Sequence, residues 1–226
     1  MDICVTDLFI TNSILGKTQK PNKDALGIIG ISPFSSFFTY EKIKDVVEWV
    51  DHHCKSYKLF IPDVPTVYSL QSLGYKEHDA IKKAKKQCRY LKNKCEKALI
   101  QINRHNIADS IIDYDFLQEE LTFKNKLNEI LSLYNSSKKF KDAVDSFSLE
   151  FLLKNEVVPS KLSIKYSSLY LLYELPIFIY ANQIFEVDDC FFMYPQCPSF
   201  IKNILKEELD VGIKTNQDFL EYKIWR

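Results

Sequence analysis

The sequence predicts an α/β protein with a Rossmann-like parallel sheet flanked by helices. Three observations point there. Residues 26–32, LGIIGIS, form an unbroken apolar run, the pattern of a parallel strand buried on both faces. Residues 57–62, YKLFIP, predict a second strand. Between them Ile43, Val46, Val47 and Val50 recur at helical spacing behind Thr39, a suitable N-cap. Strand, helix, strand in that order is the unit from which doubly wound sheets grow.

The remaining elements follow in order. Ser32-Pro33 ends the first strand, and residues 33–38, PFSSFF, form a loop into the first helix. Pro62 and Pro65 close the second strand. A long helix is expected over roughly 77–104, and another strand over 110–116, SIIDYDF. Helices are expected near 117–135 and 138–154, and a very apolar one over 161–182. Residues 190–196 suit a short strand or loop, and 198–209 an amphipathic helix. No internal repeat or low-complexity linker divides the chain, so one domain over 1–226 is expected, with 1–25 as a variable N-terminal segment.

Composition narrows the function classes. The chain has 226 residues, 46% of them hydrophobic, which suits a packed globular core. Formal net charge is zero, so any attraction to nucleic acid must come from a local patch. The N-terminus carries Asp2 and Asp7 and no early Lys or Arg, unlike a secretory signal. The longest apolar run, 169–180, is interrupted by Glu174 and too short to span a bilayer. A soluble cytoplasmic protein without membrane contact is expected. The six cysteines form no CxxC pair, so reduced thiols are expected. His52-His53-Cys54 has no partner cluster at zinc spacing, so no metal is expected, and no cofactor is called for.

The long helix carries the strongest charge pattern. Lys82, Lys83, Lys85, Lys86, Arg89, Lys92, Lys94 and Lys97 face only Glu96. At 100° per residue, Ile81, Ala84, Cys88, Leu91, Cys95, Ala98, Leu99 and Ile102 share the opposite, apolar face. A lysine-rich solvated surface is the plainer alternative. Yet like charges at i,i+3 and i,i+4 destabilise a helix slightly, and the acidic residues lie elsewhere. A phosphate-binding stripe of mostly sequence-independent, salt-sensitive contacts is the functional expectation.

Two further residues stand out. Ser32 sits where a strand ends and a loop begins, the place where open α/β sheets bind ligands. Gly30 beside it allows close approach of substrate or backbone. The motif is neither G-x-S-x-G nor G-x-G-x-x-G, so a hydrolase elbow and a dinucleotide fingerprint are both excluded. From spacing alone a turn serine is more often structural. Glu174 is the only charged residue in 166–182, with Tyr170 one turn before it. A carboxylate in such surroundings must be paired, hydrated or functional. A salt bridge to a core-facing Lys or Arg competes with a role in holding a substrate ammonium. Pro176 should kink this helix nearby.

Taken together, these landmarks resemble the cyclodipeptide synthases over about residues 26–210. They are Gly30-Ile31-Ser32-Pro33-Phe34-Ser35-Ser36-Phe37-Phe38, then Ile61-Pro62-Asp63-Val64-Pro65 with Leu73-Gly74-Tyr75, the basic helix from Lys82, Tyr170-Leu-Leu-Tyr-Glu174-Leu-Pro176, and Tyr194-Pro195. Each is weak alone; the set in this order is strong. The resemblance implies a fold like the catalytic domain of class I tyrosyl- and tryptophanyl-tRNA synthetases. HIGH and KMSKS signatures are absent, so the substrate must arrive already activated, as an aminoacyl-tRNA ester. It implies a ping-pong reaction. Ser32 is acylated by a first aminoacyl-tRNA, the α-amino group of a second attacks that acyl-enzyme, and the dipeptidyl-enzyme cyclises to release Ser32.

By the same resemblance, Glu174 and Tyr170 hold the ammonium of the first aminoacyl group, Tyr194 assists proton movement or orients the intermediate, and Lys82, Lys83, Lys85, Lys86, Arg89 and Lys92 hold the acceptor arm of the first tRNA. Gly30, Ile28, Ser35, Ile61 and Pro195 are the expected substrate-binding neighbours. Ser35 and Tyr194-Pro195 match the X-Tyr-Pro branch, not the branch with Asn and His at the corresponding places. The oxyanion donor is open, with backbone N–H groups after Ser32 as one candidate. A monomer is expected. Two other classes stay open here: a non-catalytic RNA-binding module on the same fold, and a serine esterase or acyltransferase. The latter lacks an evident base, because His52, His53, His78 and His105 have no obvious route to Ser32.

Overall fold

The computed structural model describes residues 8–16, 22–104 and 106–224. The elements in chain order are β1 Leu8–Ser13, β2 Leu26–Gly30, α1 Tyr40–His53, β3 Ser56–Phe60, α2 Asp63–Ser72, α3 Glu77–Gln101, α4 Ile107–Ser110, β4 Ile111–Ile112, α5 Tyr114–Leu117, α6 Leu121–Ser136, α7 Lys138–Lys154, α8 Lys161–Ile184, β5 Cys190–Tyr194, α9 Ser199–Leu205 and β6 Asp218–Ile224. The strands form one sheet of order β1-β6-β5-β2-β3-β4. Five strands run parallel, and β1 joins β6 antiparallel at one edge. The parallel sheet expected from sequence is thus a mixed sheet with a parallel centre.

Every residue of β2 is buried, which is why its sequence shows no alternation. Ile28 faces one core layer with Phe60 and Phe192. Ile29 faces the other with Val46, Leu59 and Met193. The first layer packs beneath α6 to α9, and the second beneath α1 and α3. Thr39 caps α1, its side chain accepting the Lys42 N–H at 3.3 Å, and Ile43, Val46, Val47 and Val50 are fully buried.

The chain folds outward from β2 through α1 to β3 and β4, then returns through the helices to place β5 on the other side of β2. The gap between the C-terminal ends of β2 and β5 is therefore a topological switch point, the crevice where such sheets bind ligands.

Several elements differ from expectation for local reasons. Residues 63–72 form α2, with Pro65 inside its first turn. A first-turn residue has no intrahelical acceptor for its N–H, so proline is tolerated there. The strand expected over 110–116 shrinks to Ile111–Ile112. Asp113 turns the chain by accepting the Phe116 N–H and starting α5. Residues 8–13 and 218–224 are strands, although neither carries a strong apolar run.

The kink in α8 lies at Tyr180, where φ is −131° and ψ 16°, four residues after Pro176. Gln217, buried just before β6, fills the break. Its Oε1 accepts the Ala181 N–H at 2.7 Å, and its Nε2 donates to Ile177 O at 2.9 Å. Thr215 Oγ1 donates to Ile179 O at 2.5 Å. No described helix is long and apolar enough to cross a membrane.

Candidate active site

A cavity of about 260 Å³ opens at the switch point. Gly30, Ile31 and Ser32 enter it from the end of β2, and Phe192 and Tyr194 from β5. Helix α8 lines it through Tyr170, Leu171, Glu174 and Phe178, and its neighbour α7 through Phe147 and Phe151. Ser168 Oγ ties these helices together, donating to Asp145 Oδ1 at 2.8 Å and lying 3.0 Å from Ser148 Oγ.

Four residues expected to be catalytic meet here. Ser32, Tyr170, Glu174 and Tyr194 line the same cavity, with both tyrosines beside Ser32 and Tyr170 beside Glu174; Ser32 Oγ donates to Pro33 O at 3.4 Å. Glu174 is only 6% exposed. Burial pushes its carboxyl up from the ordinary 4.5 to about 8, offset in part by the hydrogen bond from Tyr170. No salt bridge to Glu174 is formed among the described residues. Burial thus favours the protonated form of this carboxyl far more than at an exposed glutamate. Burial and the neighbouring Glu174 likewise push the Tyr170 hydroxyl well up. The arrangement can acylate a serine and hold, or take a proton from, an amine beside it.

Gly30 has a steric explanation. A Cβ there would lie 2.7 Å from Phe192 Cζ and 3.1 Å from Tyr194 Cδ2. In the direction of a Cβ the space at Gly30 is filled by the rings of β5, while its backbone lines the cavity. Ile28, Ser35, Ile61 and Pro195 do not line the cavity. Ile28 is fully buried in the core below, and Ser35 Oγ accepts the Phe37 N–H at 3.3 Å. Ile61 packs in the layer of α1 and α3, whereas Phe60 and Pro62, its neighbours in sequence, face the cavity. Strand alternation decides this. Pro33 provides no N–H directly after Ser32, which narrows the backbone donors for an oxyanion to its neighbours.

The aromatic wall residues Phe147, Phe151, Phe178 and Phe192 carry no motif of their own; only their convergence marks them. Among the described residues no histidine lines the cavity. His53 Nδ1 lies 2.7 Å from Trp49 O with its ring stacked on Trp49. His78 lies beside Asp79, and His105 lies outside the described residues. The cysteines at 54, 88, 95, 190 and 197 are free and buried, and burial pushes the Cys54, Cys88 and Cys95 thiols up to about 12. These thiols are poor nucleophiles.

On α3, Ala80, Ala84, Cys88, Leu91, Cys95, Ala98 and Leu99 form the buried face. Ile81, expected on that face, is 36% exposed because Ala80 takes its place against Leu70. Lys82, Lys83, Lys85, Lys86, Arg89 and Lys92 are all exposed. Lys92 pairs with Asp113 at 3.3 Å, and Lys94 turns inward to donate to Phe38 O at 3.0 Å. Five of the six tRNA-binding candidates thus form no salt bridge among the described residues.

The comparisons with known proteins agree with one another. A family model described as cyclodipeptide synthase matches residues 22–221. The cyclo(L-leucyl-L-leucyl) synthase of Staphylococcus haemolyticus is 23% identical over 199 residues, covering 85% of each chain. The solved cyclodipeptide synthase structure from Staphylococcus haemolyticus superposes with a TM-score of 0.80 at 21% identity, covering 90% of this chain and 92% of that one. A Mycobacterium tuberculosis structure, described as relating cyclodipeptide synthetases to type I tRNA synthetases, gives 0.79 at 16% identity over 90% and 87%. With the family model spanning most of its length and the sheet, crevice and serine in place, the chain belongs to the cyclodipeptide synthase family of aminoacyl-tRNA-dependent transferases.

Proposed function

We propose that the chain makes its cyclic dipeptide by a ping-pong mechanism on Ser32. The observation that carries this is the meeting of Ser32, Tyr170, Tyr194 and Glu174 in one apolar cavity without a histidine. Ser32 Oγ attacks the ester carbon of the first aminoacyl-tRNA. The leaving ribose oxygen takes the serine proton, so no separate base is needed overall.

Bond balance reverses the direction expected for the second transfer. For a dipeptide to stay on Ser32, the amine of the residue already bound there attacks the second aminoacyl-tRNA ester and expels the second tRNA. Attack the other way would free Ser32 and leave a dipeptidyl-tRNA. The new terminal amine then attacks the Ser32 ester, closing the ring and returning the proton to Ser32.

Glu174 and Tyr170 hold the α-ammonium of the Ser32-bound residue. With its pKa near 8, Glu174 matches an α-amino group at about 7.7–8.0. An ammonium beside it favours the ionised carboxylate, the form that can take the proton the amine must lose before attacking. Tyr194 orients the Ser32 oxygen. The exposed face of α3 holds the tRNA backbone. Ser35 and Tyr194-Pro195 support membership of the X-Tyr-Pro branch. The walls of Phe60, Leu171, Phe178 and Phe192 favour an apolar aminoacyl side chain, as does the similarity to a cyclo(L-leucyl-L-leucyl) synthase.

The test is mass spectrometry of medium from bacteria expressing the wild-type chain or Ser32→Ala. Cyclic dipeptides only with the wild type support the assignment, and their masses name the residues. Product from Ser32→Ala would remove Ser32 as the nucleophile.

A further inference from the structure

Beside Ser32 the surface carries an aromatic pair that the covalent steps do not use. Phe34 follows Ser32 by two residues and is 46% exposed. Its φ is 62°, in the left-handed region that is costly for a bulky side chain. The backbone thus takes a strained conformation at a residue whose ring contributes little to the core. Tyr75 is 40% exposed and follows Gly74, whose φ of 92° turns the chain after α2. Lys83, from α3, lies between the two rings. Its Nζ is 5.6 Å from the Phe34 centroid and 4.2 Å from that of Tyr75, and it donates to Tyr75 Oη at 2.5 Å. Three separate segments therefore bring two aromatic faces and an ammonium together at the C-terminal edge of the sheet.

We propose that Phe34, Tyr75 and Lys83 form a stacking platform for the unpaired nucleotides at the 3′ end of aminoacyl-tRNA, with Phe34 receiving the base next to the reacting ester. The proposal rests on the function proposed above. An ester within reach of Ser32 carries its own ribose and base, and the loop that follows Ser32, with Phe34 exposed on it, is the adjoining surface open to them. Unpaired RNA bases are held by aromatic faces and nearby cations. The cavity itself is walled by the buried rings of Phe60, Phe178 and Phe192 and the half-buried ones of Phe147 and Phe151, suited to an amino-acid side chain, so the base is left to the exposed rings outside it. Lys83 also belongs to the exposed row with Lys82 and Lys86, which continues the path toward the phosphates of the acceptor arm.

The test compares wild type, Phe34→Gly, Phe34→Leu and Phe34→Trp, with aminoacyl-tRNA as substrate and thermal melts alongside. Glycine accepts a positive φ without steric cost, so Phe34→Gly is expected to melt no lower than wild type. It is expected to lose roughly 5- to 150-fold in kcat/KM, the range of one base–aromatic stack, mainly through KM. Phe34→Leu keeps the backbone restraint but has no stacking face, and stays low. Phe34→Trp recovers most of the loss. Wild-type kcat/KM in Phe34→Gly, or a loss that Leu recovers as well as Trp, overturns the platform. Failure of the wild type itself to form product from aminoacyl-tRNA overturns the proposed function, and the platform with it.

Discussion

Gln217 replaces the missing helical partner of Ala181: its Oε1 accepts the Ala181 N–H at 2.7 Å, while its Nε2 donates to Ile177 O at 2.9 Å. In an unbroken helix those two backbone groups would bond to each other. The side chain thus splices α8 across its break and ties it to the start of β6. The break lies directly after Phe178 and Ile179, and Phe178 lines the cavity.

Gln217→Leu leaves a buried N–H and a buried carbonyl without partners. Each costs about 1–3 kcal/mol, so chemical denaturation should show a loss of about 2–6 kcal/mol. An unchanged denaturation midpoint would mean that water or a rearranged helix supplies the bonds.

Gly30→Ala should both destabilise the protein and damage the site. The added methyl group meets Phe192 at 2.7 Å, and that ring is hemmed in by Phe178 and Phe219 at centroid distances of 4.5 and 5.3 Å. Overpacking of this kind costs about 1–3 kcal/mol. Because Tyr194 is the other neighbour, product formation should fall even where the variant is fully folded, as checked by circular dichroism at the assay temperature.

Glu174 gives a pH signature in stability. Its folded pKa is raised from 4.5 to about 8, so the folded state keeps a proton that the unfolded chain has released. The stabilisation is fully present below about pH 4.5 and is lost as pH rises through about 8, at up to about 1.4 kcal/mol per pH unit in that window. Glu174→Gln mimics the protonated acid and should flatten the decline in melting temperature between pH 5 and 8. Its catalytic rate should drop by about 100-fold or more, the usual worth of a positioned acid–base group. A parallel pH–stability curve in the variant would show that Glu174 is ionised in the free protein.

Lys82→Glu, Lys86→Glu and Arg89→Glu combined should raise KM for aminoacyl-tRNA and reduce its dependence on salt, since each phosphate contact contributes about 0.9 to the slope of log K against log salt for duplex nucleic acid. Melting temperature should hold or rise, because the stripe repels itself along the helix. Unchanged KM and salt slope would make the stripe a solvated surface.

Much of the site was legible because its signals are local. Ser32 ends a run of buried residues that only a central strand accommodates. Glu174 is conspicuous because one charge in an apolar helix needs a reason. The stripe on α3 and the cap at Thr39 depend only on helical period and on side chains one turn apart. The cavity walls were less legible. Choosing Phe60 over Ile61 requires the strand's facing, which a run of apolar residues on both sides does not reveal. Phe147 and Phe151 look like ordinary core positions until α7 is packed against α8 through Ser168, Asp145 and Ser148. The break in α8 falls one turn after Pro176, near where that residue predicts it, but its repair by Gln217, from just before β6, depends on a residue far away in the chain.

By itself the sequence determined the α/β class, the serine at the end of a strand, the carboxylic acid in an apolar helix and the cationic helix face, all set by periodicity, capping and burial within short windows. Tertiary structure decided that β5 lies beside β2, bringing Tyr194 to Ser32. It also decided that 8–13 and 218–224 complete the sheet edge, and that Phe34 and Tyr75 flank one lysine. Strand pairing and helix packing join residues far apart in the chain, and their free energy depends on the whole set of contacts, which no local window contains.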